Sequence, residues 1–192
     1  MKKILAVVAL AFTTLTMSAQ EDSKFTIKAG VGLSSVVGSD ADTKMTFSYK
    51  VGAAYDLGIS ENFSIIPGIE FAKKGFKSDN IDGSISMTYL QIPIFAAYKF
   101  NISDGMNLTI KAGPYASYGL FGSDIEWAGG SKTNVFDKDD GFKRFDAGAI
   151  AGVSLDFSQF MVGLEYSRGF TKLTSDYSQF NQAFGIVVGY KF

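Results

Sequence analysis

Apolar and polar residues alternate with a period of two through most of this chain. The last stretch, residues 182–192, shows the pattern most plainly. Bulky residues at Phe184, Ile186, Val188 and Tyr190 alternate with small ones, and the stretch ends on Phe192. A period of two is typical of a strand whose two faces meet different surroundings. One face here is bulky and apolar, and the other is small and partly charged.

The same division recurs seven more times and predicts eight strands. Their approximate ranges are 25–33, 49–59, 63–72, 89–100, 108–120, 144–157, 160–167 and 182–192. Short turns at 60–62, 103–105 and 158–159 alternate with longer loops at 38–43, 78–83, 122–141 and 169–181. An even strand number, spans of about 9–11 residues and this alternation of connections are typical of outer-membrane barrels. The predicted fold is all-β: an eight-stranded antiparallel up-and-down transmembrane β-barrel.

Three prolines, Pro67, Pro93 and Pro114, fall inside predicted strands. Proline cannot donate a backbone hydrogen bond, and a closed barrel has no free edge strand to receive it. We therefore expect a β-bulge at each of them.

Two features favour a membrane barrel, whose bulky face meets lipid. The alternative is a soluble secreted barrel. Aromatic residues collect near both ends of that face, as at two membrane interfaces. Phe25, Tyr55, Phe63, Tyr98, Phe157, Phe160 and Tyr190 lie toward the short turns, and Tyr49, Phe71, Tyr118, Phe145 and Tyr166 toward the long loops. The opposite face is rich in glycine and small residues, which suits the crowded inside of an eight-stranded barrel.

The N-terminus reads as a secretory signal. Lys2 and Lys3 precede an apolar run over 4–12, and small and polar residues follow up to Ser18-Ala19-Gln20. The run is shorter than the ~20 residues that span a bilayer as a helix, so a retained anchor is the weaker alternative. We predict a signal peptide over 1–19 and a barrel domain over 20–192. The predicted location is the outer membrane of a Gram-negative cell.

Composition excludes several function classes. The 192 residues carry a net charge of −1, which gives no basic footprint for nucleic acid. The chain has no cysteine and no histidine, which removes thiolate and histidine metal sites as well as Ser-His-Asp chemistry. We predict no catalytic residues, no metal and no cofactor, and we disfavour an outer-membrane enzyme.

Charged residues recur on the small face. They are Lys28, Lys50, Glu70, Lys74, Lys111, Arg144, Asp146 and Glu165. Because side chains fill an eight-stranded interior, we expect these residues to pair as a lumen charge network. Narrow passive transport of small solutes is the alternative. Across the turn at 60–62, Lys50 lies one diagonal step from Glu70, so we predict that these two form an ion pair.

The long loops are the remaining candidates for function. The 122–141 loop holds Trp127, a glycine pair and several carboxylates, whose spacing does not match an EF-hand calcium loop. We expect 122–141 to be a solvated loop that a short linker can replace. With 169–181, it is a candidate surface for an extracellular ligand.

Five segments carry a resemblance to a known family. They are YLQIPI at 89–94, KAGPYASYGL at 111–120, FDAGAIAGVSLDF at 145–157, VGLEYSRGFTKL at 162–173 and AFGIVVGYKF at 183–192. In order and spacing they resemble the outer-membrane β-barrel domain of Bacteroidota, often labelled porin-family or PorT-like. The resemblance implies a barrel surrounded by outer-membrane lipid and inserted by the outer-membrane assembly machinery. That machinery would read the C-terminal strand through Tyr190 and Phe192. The resemblance brings no catalytic residues. From the residues themselves, we predict a structural or binding role through the long extracellular loops.

Overall fold

The structure is a computed structural model that describes residues 24–38, 43–78, 84–122, 124–126, 132–136, 142–173 and 178–192. These ranges form strands, in chain order β1 Lys24–Gly38, β2 Thr43–Lys44, β3 Thr46–Gly58, β4 Phe63–Ser78, β5 Ser84–Ser103, β6 Met106–Gly122, β7 Asp124–Glu126, β8 Lys132–Asn134, β9 Phe145–Phe157, β10 Phe160–Gly169 and β11 Gln179–Lys191. The predicted signal peptide and Trp127 lie outside the described residues. Within those residues, no helix is long and apolar enough to cross a membrane.

Eight of these strands form a closed antiparallel barrel. β1, β3, β4, β5, β6, β9, β10 and β11 each pair with the next strand along the chain. β11 then pairs back to β1, from Thr26–Lys191 to Gly38–Gln179. β2 extends the β3 wall against β4, and β7 and β8 form a separate hairpin. The predicted eight-stranded up-and-down barrel is confirmed.

The alternation along each strand sets which residues face outward. Bulky apolar side chains are exposed on the outside, as Ile27, Val51, Ile94, Ile110, Leu164 and Ile186 illustrate. Both expected aromatic rows occur. Phe160 pairs in register with Phe157 and Tyr190 near the short turns, and Phe71, Leu90, Tyr118 and Phe145 are successive register partners near the long loops. An apolar band flanked by two aromatic rows is typical of a lipid-facing surface.

The strands run further than predicted at the long-loop end. β5 begins at Ser84, although the alternation of apolar-out and polar-in starts only at Tyr89. Before that point the polarity of the faces reverses. Ile85 and Met87 are buried on the inner face. The polar residue Thr88 lies on the outer face and is only partly buried. The apolar band on the outer face of β5 therefore ends at Leu90. On the long-loop side of Leu90 the strand packs against a small apolar core inside the barrel.

The prolines do not cause bulges, so that prediction was wrong. Pro67, Pro93 and Pro114 pair in unchanged register with Ile94, Tyr115 and Ala149 respectively. Between each proline and its other neighbouring strand, residue pairing is interrupted, and it resumes beyond the proline in the same register. A strand residue directs its N–H to only one of its two neighbours, so each proline loses pairing on one side alone. The register shifts that do occur in β5 lie at Thr88–Tyr89 and Asn101–Ser103.

Candidate functional site in the barrel lumen

A group of five charged side chains crosses the middle of the lumen. This central charged group consists of Lys28, Lys50, Glu70, Lys111 and Glu165. Lys28 Nζ lies 2.5 Å from Glu70 Oε1 and 3.7 Å from Glu165 Oε1. Glu165 also contacts Lys50 Nζ at 2.5 Å and Lys111 Nζ at 2.7 Å. Each residue comes from a different strand, so the group ties β1, β3, β4, β6 and β10 together across the barrel.

The predicted partner of Lys50 was wrong. Lys50 is opposite Ala72 in the sheet, as expected, but its ammonium group reaches Glu165 rather than Glu70. Glu70 contacts Lys28 and also accepts a hydrogen bond from Gln91. In a barrel this narrow, inward side chains reach strands on the far wall. Reasoning from neighbouring strands alone therefore misses the contacts that cross the lumen.

An aromatic ring lies close to two of the lysines. The ammonium groups of Lys28 and Lys111 lie 5.1 Å and 5.0 Å from the ring centroid of Phe95. Phe95 itself is buried with Tyr115, Ile150 and the partly buried Ile66. A cation over a ring face is stabilised by the ring quadrupole, more strongly when water is excluded. The middle of the lumen is therefore filled by charge and aromatic packing together.

A second charged centre surrounds Asp146, nearer the long loops. Its Oδ2 accepts hydrogen bonds from Tyr115 at 3.0 Å, Asn181 at 3.2 Å and Lys74 at 3.3 Å. Its Oδ1 accepts one from Thr171 at 2.8 Å. Thr171 follows β10, so Asp146 fixes the start of the β10–β11 connection to the barrel wall. This carboxylate holds one lysine and anchors one loop.

Two further ion pairs lie near the short-turn end and were not among the sequence candidates. Lys99 contacts Asp56 at 2.7 Å, and Lys191 contacts Asp156 at 2.9 Å. Thr109 also donates to Asp156 at 2.7 Å. All of these residues lie on the small face of their strands. The same alternation that selected Glu70 and Glu165 could therefore have identified them.

Arg144 does not join the charged groups of the lumen. It precedes β9, where strand alternation does not yet fix its direction, and its side chain is exposed. Its Nη1 donates to Gly119 O at 3.1 Å, and its guanidinium group lies 4.8 Å from the ring centroid of Phe136. Arg144 therefore holds a loop residue at the barrel rim.

The long-loop end of the lumen is closed by an apolar cluster, here called the mouth cluster. Its buried members are Val36, Phe76, Ile85, Met87, Tyr89, Val135, Phe136 and Leu173, with Phe142 packed against them. Val36, Phe76, Ile85 and Met87 come from the extended strand ends, and Tyr89 follows them in β5. Val135, Phe136, Phe142 and Leu173 come from the β6–β9 and β10–β11 connections.

Val135 and Phe136 show that the 122–141 segment is not solvated throughout, contrary to our expectation. Their exposed fractions are 0% and 5%. A side chain at Gly119 would overlap the Phe136 ring, and one at Gly122 would overlap Val135. Phe142 N donates to Val135 O at 2.7 Å. The glycines on β6 thus leave room for two loop side chains that close the barrel.

The described side chains of the lumen make packing contacts, hydrogen bonds and ion pairs with one another. Among the described residues, no group of three or more acidic side chains is placed to hold a metal ion. The loop residues Asp137, Asp139 and Asp140 lie outside the described residues. The carboxylates of the central group and of Asp146 already contact lysines.

A closed eight-stranded barrel with an apolar exterior and a packed, charged lumen defines the class of small outer-membrane barrels. The chain belongs to the outer membrane protein beta-barrel domain family, whose profile matches residues 18–175.

Solved structures of similar fold include other barrels of this class. Neisserial surface protein A has a TM-score of 0.56 at 12% identity, covering 88% of this chain and 97% of its own. The outer membrane enzyme PagL has a TM-score of 0.55 at 13% identity, and the match covers 86% of this chain and 98% of PagL. Ail of Yersinia pestis, in complex with sucrose octasulfate, has a TM-score of 0.46 at 16% identity, and the match covers 88% of this chain and 99% of Ail. No curated protein matches the chain.

Proposed function

We propose that this protein is a sealed barrel of the Gram-negative outer membrane that acts through binding at its long-loop end. The observation that carries this proposal is the double closure of the lumen. The central charged group ties together strands on both sides of the barrel, and the mouth cluster covers the long-loop end. A solute crossing the barrel would have to separate buried ion pairs and displace Val135 and Phe136.

Passive transport is the weaker alternative because opening the central group is costly. Removing one partner from a buried ion pair typically costs about 3–5 kcal/mol. The side chains of Lys28, Glu70 and Glu165 are almost completely buried. Breaking several such contacts at once is a poor basis for steady conduction.

The long-loop rim presents surfaces suited to binding. Phe121 and Phe170 are 69% and 66% exposed there, although large aromatic side chains are usually buried. Lys143, Arg144 and Lys172 are exposed at the same rim. Aromatic residues and arginine are enriched where proteins meet partners. We assign ligand binding to the surface formed by the 122–141 and 169–181 connections.

An enzymatic role is disfavoured. The chain contains no histidine, so general-base and triad chemistry based on imidazole is absent. The similarity to PagL, at 13% identity, concerns the fold. We propose no catalytic residue.

The finer classification rests on the sequence motifs. We propose that the chain belongs to the Bacteroidota group of porin-family or PorT-like barrels, and that the signal over 1–19 is cleaved. Tyr190 and Phe192 would then be read by the assembly machinery. In support, both lie at the end of the closing strand, and Phe192 is exposed. N-terminal sequencing and membrane fractionation test this; recovery of the protein in the soluble periplasm would contradict it.

Conductance in planar lipid bilayers tests the sealed barrel. We expect no stable, large conductance from protein whose folding is verified by its heat-dependent gel shift. Reproducible nanosiemens-scale channels from the same preparation would overturn the proposal.

A further inference from the structure

A small cavity lies in the lumen beside the central charged group. Its volume is ≈ 30 Å³. The inward polar residues that line it are Ser48, Lys50, Lys74, Gln91, Glu165 and Ser167. On the β1–β11 side its wall is formed by Gly30, Gly32 and Gly185, which have no side chains to fill the space.

The charges beside this cavity do not balance. Among the described residues, the central charged group holds three lysines against two glutamates, an excess of one positive charge. The other lumen ion pairs are balanced: Lys74 with Asp146, Lys99 with Asp56 and Lys191 with Asp156. An uncompensated charge in a poorly hydrated interior is costly. The excess therefore requires a counter-charge or the loss of a proton.

The contacts place the excess charge at Glu165. Lys28 has Glu70 as its near partner at 2.5 Å. Lys50 and Lys111 share the single carboxylate of Glu165, one on each oxygen. Lys50 also lines the cavity and is 19% exposed, more than Lys28 or Lys111. Its ammonium group has three N–H donors, and Glu165 is its single carboxylate contact among the described residues.

Other groups around the cavity suit an anion held with water. Lys74 lines the cavity, and its contact with Asp146 is comparatively long at 3.3 Å. The hydroxyl group of Ser48 supplies a neutral donor, whereas that of Ser167 donates to Ala183 O at 3.4 Å. Gln91 Oε1 is buried without a hydrogen-bond donor in the structure and can accept from a water molecule.

We propose that this cavity binds a small monovalent inorganic anion, with chloride as the physiological occupant, in contact with Lys50. A cavity of ≈ 30 Å³ has room for about two water-sized particles, which limits its occupant to a small ion. Sulfate, phosphate and organic anions are too large. The bound anion neutralises the central charged group and stabilises the closed lumen. This inference is independent of the role of the loops.

Bromide is the direct probe because it replaces chloride and scatters anomalously. Crystals of the wild-type barrel grown in bromide should show an anomalous peak in the cavity, in contact with Lys50 Nζ. Crystals of Lys50→Met, which removes the excess charge, should show none there. A wild-type crystal without this peak overturns the proposal, even if the variant does not crystallise.

Thermal unfolding provides the test in solution. Sodium chloride is compared with sodium gluconate at equal ionic strength, because gluconate is too large for the cavity. At chloride ten times above its dissociation constant, binding to the folded state raises the wild-type folding equilibrium constant about elevenfold. Lys50→Met should lose this response. Lys77→Met, which removes an exposed lysine, should keep it. Equal wild-type midpoints in the two salts, or a full chloride response in Lys50→Met, would contradict the proposal.

Discussion

Lys50 Nζ lies 2.5 Å from Glu165 Oε2, although the two residues are 115 positions apart and their strands are not neighbours in the sheet. The contact crosses the lumen from β3 to β10. Glu165 also contacts Lys28 and Lys111, so one carboxylate serves three ammonium groups. Glu165 therefore links β10 to β1, β3 and β6 across the lumen.

Replacing Glu165 should destabilise the barrel strongly. Glu165→Ala leaves Lys50 and Lys111 without their carboxylate, and stranding a buried charge costs about 3–5 kcal/mol. Urea unfolding in the same detergent or lipid measures the change in free energy. Glu61→Ala is the matched control, because Glu61 is exposed in a short turn and its loss should stay within about 0.5 kcal/mol. Similar midpoints for the two variants would show that the lumen is well hydrated.

Removing the charge at Asp146 should loosen a loop as well as the barrel. Asp146→Asn keeps the shape but leaves Lys74 unpaired, at a cost of about 3–5 kcal/mol for a fully buried pair. It also weakens the hydrogen bond from Thr171. We expect a lower urea midpoint and faster protease cleavage near Thr171. Asp104→Asn, in an exposed turn, should change neither, and an unaltered cleavage rate in Asp146→Asn would argue against the anchoring role.

Phe136 should contribute to stability although it lies in a connection between strands. Truncating a buried phenylalanine to alanine typically costs about 3–5 kcal/mol, and less where the site collapses. Phe136→Ala should therefore lower the unfolding midpoint clearly. Phe170→Ala, at an exposed ring, should have little effect. For the same reason, replacing 122–141 with a Gly-Ser linker should destabilise the barrel, contrary to our expectation from sequence. Unchanged stability of that variant would show that the mouth cluster is dispensable.

The reversal of face polarity in β5 marks one edge of the lipid-facing band. Ile186→Arg, at mid-strand on the outer face of β11, should cost about 2–4 kcal/mol in lipid. Thr88→Arg, beyond Leu90 on the outer face of β5, should cost about 0–1 kcal/mol. Unfolding in lipid vesicles gives both values. Equal costs would place Thr88 within the lipid.

Strand alternation was sufficient to predict the barrel because each strand must separate lipid from lumen. It assigned Glu70, Lys111 and Glu165 to the inward face, where their side chains are buried. It could not pair them, because a partner across the lumen depends on how the barrel closes. The contact of Glu70 with Lys28 has no signature in local spacing.

The strand ends were missed for a different reason. In β5, Ile85 and Met87 point inward, on the face that carries small and polar residues elsewhere, so the pattern of a membrane strand stops while the strand continues. Val135 and Phe136 were hidden because two apolar residues in a polar loop carry no period. The space left by Gly119 and Gly122 accommodates their side chains, and that space is a property of the folded barrel.

The seam between β1 and β11 joins the first part of the barrel to be synthesised with the last. Until residues 179–191 arrive, β1 and β10 each expose a row of backbone groups with no partner. A sheet that lacks β11 therefore has two unpaired edges, to which strands of other chains can pair. Pairing of β11 with both β1 and β10 removes the two edges together, so the closing strand protects the whole barrel against edge-to-edge association.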